Sequence, residues 1–185
     1  AAMALAALSG DEQCIIFSQL CNTLDPGTAV AFSSTSSELR ALTPALLQQL
    51  RADYEVATAL CCKLGMRSCK VLREAKTIAP TRLSAADLAL LGTLGSVLTV
   101  LEELRLFRAS ASHDGVQRLV EKLGAGALPA VICLDIDSTH MGDAGASALA
   151  TALGRGALPR LKILFLSNAA IGDAGLVALA PALRR

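Results

Sequence analysis

The chain is predicted to be an α/β protein: a curved solenoid with parallel strands on its concave side and helices outside, preceded by an all-α N-terminal segment. Three observations predict it. First, a thirty-residue step relates Leu101-Glu102-Glu103-Leu104-Arg105-Leu106 to Val131-Ile132-Cys133-Leu134-Asp135-Ile136, and that to Leu161-Lys162-Ile163-Leu164-Phe165-Leu166. Gly115, Gly145 and Gly175 keep the same step, as do Leu119, Leu149 and Leu179. Units of this length bury their apolar face only by stacking on neighbours. Second, each unit alternates like a strand and then carries a helical apolar stripe. Third, hydrophobic residues make up 53% of the 185 while aromatics make up 3%, so the core is built from Leu, Ala and Val. A chain of this length holds one or two domains.

The N-terminal residues 1–68 are expected to form a helical domain. Ile15, Ile16, Phe17 and Leu20 make one helical stripe, and Asp25-Pro26-Gly27 is a turn opening a second helix. The serine run after Phe32 is read as a helix boundary. Thr43 followed by Pro44 reads as N-cap and first helical residue of a helix reaching Leu64, with Gly65 as its C-cap.

Residues 69–185 are expected to form the solenoid. A degenerate capping repeat occupies about 70–99, because Leu72, Ala75 and Thr77 fall twenty-nine residues before Leu101, Leu104 and Leu106. Regular repeats follow at 100–129, 130–159 and 160–185. In each, the first, fourth and sixth residues point inward. Asp143 and Asp173 complement the dipole at the start of the helices that follow. Ala148, Leu149, Ala152 and Leu153 form the helix stripe, and strand plus helix in thirty residues makes successive strands parallel.

Net charge is +1, which points to no global attraction for nucleic acid or membrane. Six basic residues between Lys63 and Arg82 face one acid, Glu74; they read as a solvated face, the alternative being a dock for an acidic partner. That window holds no aromatic residue, which argues against single-stranded nucleic acid. The six cysteines form no Cys-x-x-Cys pair and no zinc-ligand spacing with His113 or His140. They read as buried reduced thiols in an intracellular, reducing compartment. The longest uncharged stretch, Leu88 to Leu101, has fourteen residues, where a spanning helix needs about 18. No transmembrane segment or signal peptide is expected. The start at Ala1 and the stop after a predicted helix suggest a piece of a longer protein.

No phosphate loop, metalloprotease helix or nucleophile elbow is present, so neither catalysis nor a metal or other cofactor is expected. His113 and His140 read as loop variants. The residues with room for function are the third, fifth and seventh of each strand unit: Glu103, Arg105 and Phe107, then Cys133, Asp135 and Asp137, then Ile163, Phe165 and Ser167. Arg105, Asp135 and Phe165 are expected to form one row across the sheet. Aromatics exposed beside charges are typical of recognition surfaces, so Glu103, Arg105, Phe107, Asp135, Asp137 and Phe165 are the candidate protein-binding residues. The alternatives are that the two Phe residues pack on a neighbouring loop, or that Arg105 and Asp135 merely pair across strands.

Residues 161–175, Leu-Lys-Ile-Leu-Phe-Leu-Ser-Asn-Ala-Ala-Ile-Gly-Asp-Ala-Gly, with Leu179 and Leu183 after them, resemble a leucine-rich repeat of the ribonuclease-inhibitor type. The resemblance covers about 70–185 and implies a protein-binding solenoid. It departs at the ninth position, where the usual Asn or Cys is replaced by Ala109, Thr139 and Ala169, so the usual ladder of side-chain bonds is expected to be missing. In the N-terminal part, Leu8, Ile16, Phe17 and Leu20, with residues 24–40 after them, resemble an F-box. It departs in having Leu8-Ser9 for the usual Leu-Pro and Leu39 for a late Trp. This resemblance implies that an exposed edge at Leu8, Ile16, Phe17 and Leu20 contacts the adaptor of a cullin-type ubiquitin ligase, with the repeats recruiting substrate. The alternative is a scaffold or accessory subunit of a larger assembly.

Overall fold

The computed structural model describes residues 8–35, 37–80, 82–106, 113–137 and 139–184. The chain divides into two compact units, Ala1–Ala59 and Leu60–Arg185.

In the first unit, α1 (Gly10–Leu20) opens on a capping box that sequence reading overlooked. The Glu12 amide donates to Ser9 Oγ at 3.3 Å, and the Glu12 carboxylate accepts from the Ser9 amide at 2.8 Å. This satisfies two amides that the helix cannot bond itself. α2 (Gly27–Ser33) follows the Asp25-Pro26-Gly27 turn as expected, and α3 (Ser37–Leu42) comes next. The small core joins Phe17, Ala29 and Leu50, with the rings of Phe17 and Phe32 6.5 Å apart. Thr43 is buried, and its hydroxyl donates back to the Leu39 carbonyl at 2.7 Å. With that proton used, Ser33 must be the donor in the 2.7 Å Ser33–Thr43 bond. Thr43 holds the N-cap position expected of it, its carbonyl accepting the Leu47 amide at 2.9 Å, while its hydroxyl makes these buried bonds.

The long helix α4 (Pro44–Lys63) ends where Gly65 predicts. Gly65 has φ +70°, its amide bonds the Cys62 carbonyl, and Met66 bonds that of Cys61, which is the double bonding of a Schellman stop.

In the second unit, α5 (Cys69–Glu74) precedes β1 (Thr77–Ile78), α6 (Ala85–Thr93) and a 3₁₀ turn at Leu94–Ser96. Then come β2 (Glu103–Arg105), α7 (His113–Lys122), β3 (Cys133–Asp135), α8 (Gly142–Gly154), β4 (Ile163–Phe165) and α9 (Asp173–Ala182). The four strands lie in the order β1-β2-β3-β4, all parallel. Each helix from α6 to α9 packs on the next in sequence.

The thirty-residue step is the register itself: Leu104 pairs with Leu134, and Leu134 with Leu164. The leading copy departs from expectation. Ile78, not Ala75, lies opposite Leu104, because Leu72 is spent as a buried residue of α5 and the strand starts only at Thr77.

Inward positions behave as alternation requires. Leu101, Leu104, Leu106, Val131, Leu134 and Ile136 are buried. Leu161, Leu164 and Leu166 are half-buried, since β4 is an edge strand. On α8 the buried stripe is Gly145, Ala146, Leu149, Ala152 and Leu153; Ala148 is only half-buried, so Ala146 takes the place expected of it. α6 begins with a second capping box, Ser84 with Asp87, and Lys63 Nζ clamps the same carboxylate at 2.6 and 2.8 Å.

Candidate functional site

The sheet face opposite the buried leucines is assembled by the parallel register. Glu103, Cys133 and Ile163 stand side by side in one row, and Arg105, Asp135 and Phe165 in the next. The expected row therefore exists as geometry. Phe107 lies outside the described residues, as does Ala109. Asp137 and Ser167 continue the face past the strand ends, joined by a 2.6 Å bond from the Ser167 amide to Asp137 Oδ1.

Arg105 does not pair with Asp135 across the strands. Its guanidinium meets Glu103 on its own strand at 2.8 Å, because residues two apart share a face. Asp135 Oδ1 accepts the Asp137 amide at 3.2 Å. Phe165 is 47% exposed and Ile163 45%, so neither is packed away under a loop. Cys133, expected to face outward with them, is only 8% exposed at the centre of the face. Burial pushes its thiol pKa up, and the charges of Glu103 and Asp135 push the same way against Arg105.

The ladder expected to be missing is replaced by other bonds between repeats. Besides the Asp137–Ser167 bond, Asp143 Oδ1 accepts the amides of Gly172 at 2.6 Å and Gly175 at 3.1 Å. Asp143 thus caps the start of the following helix instead of only its own. Thr139, at the ninth position, is buried and donates to Ile136 in its own turn at 2.8 Å. His140 is exposed at φ +48° and Ala170 at φ +55°, matching turns one repeat apart.

The second predicted contact, in the first unit, is corrected at its centre. Phe17 is fully buried because it anchors that unit's core, and Leu8, Ile16 and Leu20 are half-buried. The exposed member of the stripe is Ile15, at 62%. Sequence periodicity could not separate these neighbours, since each lies within one turn of a continuous apolar run.

In the basic window, Lys63 pairs with Asp87 and Lys76 with Glu102, while Arg67, Lys70 and Arg82 are exposed. Of the cysteines, 61, 69 and 133 are buried, 14 and 21 half-buried, and Cys62 exposed, contrary to the expectation of burial. Burial and the Cys69 sulfur 3.5 Å away push the Cys61 thiol up to about 12. Among the described residues no three His, Cys, Asp or Glu side chains gather as metal ligands. No described helix is long and apolar enough to cross a membrane.

A family model described as Leucine Rich repeat matches residues 131–150 and 159–180. The matches cover β3 with most of α8, and β4 with most of α9. The chain therefore carries leucine-rich repeats, which generally mediate protein–protein interaction and typically do no catalysis. Neither the curated proteins nor the solved structures yield a match.

Proposed function

We propose that this chain is a non-catalytic protein-binding module, a curved solenoid of ribonuclease-inhibitor-type leucine-rich repeats whose strand face is the binding surface. The residues assigned to it are Glu103, Arg105, Phe107, Asp135, Asp137 and Phe165, with Ile163 added. One observation carries the reading: Phe165 and Ile163, large and apolar, stay nearly half exposed on a face that also carries the charges of Glu103, Arg105, Asp135 and Asp137. Two large apolar side chains grouped beside charges on one sheet face form the kind of patch from which interface hot spots are built. Affinity purification with wild-type bait and with Phe165→Ala/Asp135→Ala bait tests it. Partner recovery should fall more than about tenfold while the melting temperature stays within a few degrees. An unchanged partner set, or loss of folding, would refute the assignment.

A finer reading is that the first unit is F-box-like and joins the module to a cullin-type ligase adaptor. Supporting it are the residue pattern at Leu8, Ile16, Phe17 and Leu20 and the exposed Ile15 beside it. Phe17 serves that unit's core, so the contact would centre on Ile15, Ile16 and Leu20. Co-purification of the adaptor with wild type but not with Ile15→Asp is expected; equal recovery from both, or from neither, removes this reading.

A further inference from the structure

We infer that the strand face recognises a segment in which a lysine or arginine lies beside a large apolar side chain. The inference rests on the protein-binding reading above and specifies the chemistry of the partner. Glu103, Asp135 and Asp137 set against Arg105 give the face a net charge of −2, although the whole chain carries +1. Arg105 is occupied by Glu103 at 2.8 Å, so the two aspartates remain as its uncompensated charges.

Backbone amides hold both carboxylates in place through one oxygen each: Asp135 through the Asp137 amide, and Asp137 through the Ser167 amide. The second oxygen of each lies outside those bonds and can accept from an incoming cation. Directly across the register from Asp135 stands Phe165, on a neighbouring strand about 4.8 Å away, with Ile163 two residues before it. Anionic acceptors and an apolar shelf are thus adjacent and fixed by short paired strands, so little order is lost on binding.

Other partner chemistries fit worse. An acidic segment meets like charge. A purely apolar one strips water from two carboxylates and gives nothing back. A purely basic one leaves Phe165 and Ile163 in water. A cation flanked by an apolar group satisfies both halves, as a charge-assisted hydrogen bond next to a buried ring contact.

The test is selection of a phage-displayed library of random dodecapeptides on the full chain, followed by binding measurements on variants. Peptides enriched on wild type are expected to carry Lys or Arg beside a large apolar residue. Their affinity should fall about tenfold or more on Asp135→Asn/Asp137→Asn, which keeps the backbone bonds but removes the charge. It should rise a few-fold, roughly, on Arg105→Gln, a gain that misfolding cannot produce. Raised salt should weaken it.

Enriched peptides that are acidic or uncharged, yet lose binding on Phe165→Ser, would overturn the partner chemistry and leave the face as the binding site. Enriched peptides that bind wild type, Asp135→Asn/Asp137→Asn and Phe165→Ser alike would overturn the strand face itself. Absence of enrichment would overturn both.

Discussion

Asp143 sits in the first turn of α8, yet its carboxylate closes the start of α9 by taking the amides of Gly172 and Gly175. Gly175 admits that approach because it has no side chain: a Cβ there would lie 2.6 Å from Asp143 Oδ1. Asp143→Ala should therefore cost about 1–2 kcal/mol, the range of a lost cap with a charged acceptor. Asp173, the matching acid one repeat later, makes no such bond among the described residues, so Asp173→Ala should cost under about 0.5 kcal/mol; chemical denaturation of both variants checks the contrast.

Asp87 gives a second prediction. Burial raises its carboxyl pKa, but the Lys63 ion pair and the Ser84 bonds outweigh burial and hold it below the ordinary 3.8. A depressed carboxylate contributes stability that is full above the unfolded value and lost as pH falls through the folded one. Wild type should thus lose more stability than Asp87→Asn between neutral pH and a pH below 3.8, measured by urea midpoints. Repetition made Asp143 visible in the sequence as structural. Its receiving end was not visible, because a bond to the next repeat depends on how the two repeats stack.

The pairing of α6 with α7 depends on Gly92, where a Cβ would lie 2.4 Å from the Leu119 carbonyl oxygen and 2.9 Å from Lys122 Cβ. Backbone cannot retreat as a flexible side chain can, so Gly92→Ala should destabilise by about 1–3 kcal/mol despite better helix propensity. Gly154, at the end of α8, has nothing within 4 Å of such a Cβ; Gly154→Ala should be neutral or stabilising by up to about 1 kcal/mol. Melting temperatures of the two variants should move apart, and a shared direction would refute the packing argument. Element ends were legible at Pro26-Gly27 and Gly65, but not at the capping boxes Ser9–Glu12 and Ser84–Asp87, where a polar pair three residues apart stands out only once the helix start is known. The leading strand was not legible either: its residues pair at Thr77–Ile78 because α5 consumes Leu72, and no local signal in the sequence decides between those uses.

At the scale of the whole chain, long-range order was legible only where it repeats. A fixed step of thirty residues translates directly into Arg105, Asp135 and Phe165 side by side, whereas nothing periodic told Phe17 from Ile15 in the first unit. The same one-dimensional order governs energetics. Strands follow the order β1-β2-β3-β4 and each helix from α6 to α9 packs on its successor, so a core leucine is held by its own repeat and at most two neighbours. Leu104 and Leu134 have strands on both sides and are buried, while Leu164 is half-buried on the edge strand. Leu104→Ala and Leu134→Ala should each cost about 2–5 kcal/mol, the cost of a cavity in a closed core. Leu164→Ala should cost distinctly less, because part of its surface already faces water and the vacated space opens to solvent. Hydrogen exchange should show the accompanying loss of protection for Leu164→Ala confined to β4 and α9, and for Leu134→Ala spread through β2 to β4. Equal costs at all three positions would mean that the edge repeat is covered in solution, and that its half-buried leucines are themselves part of an interface.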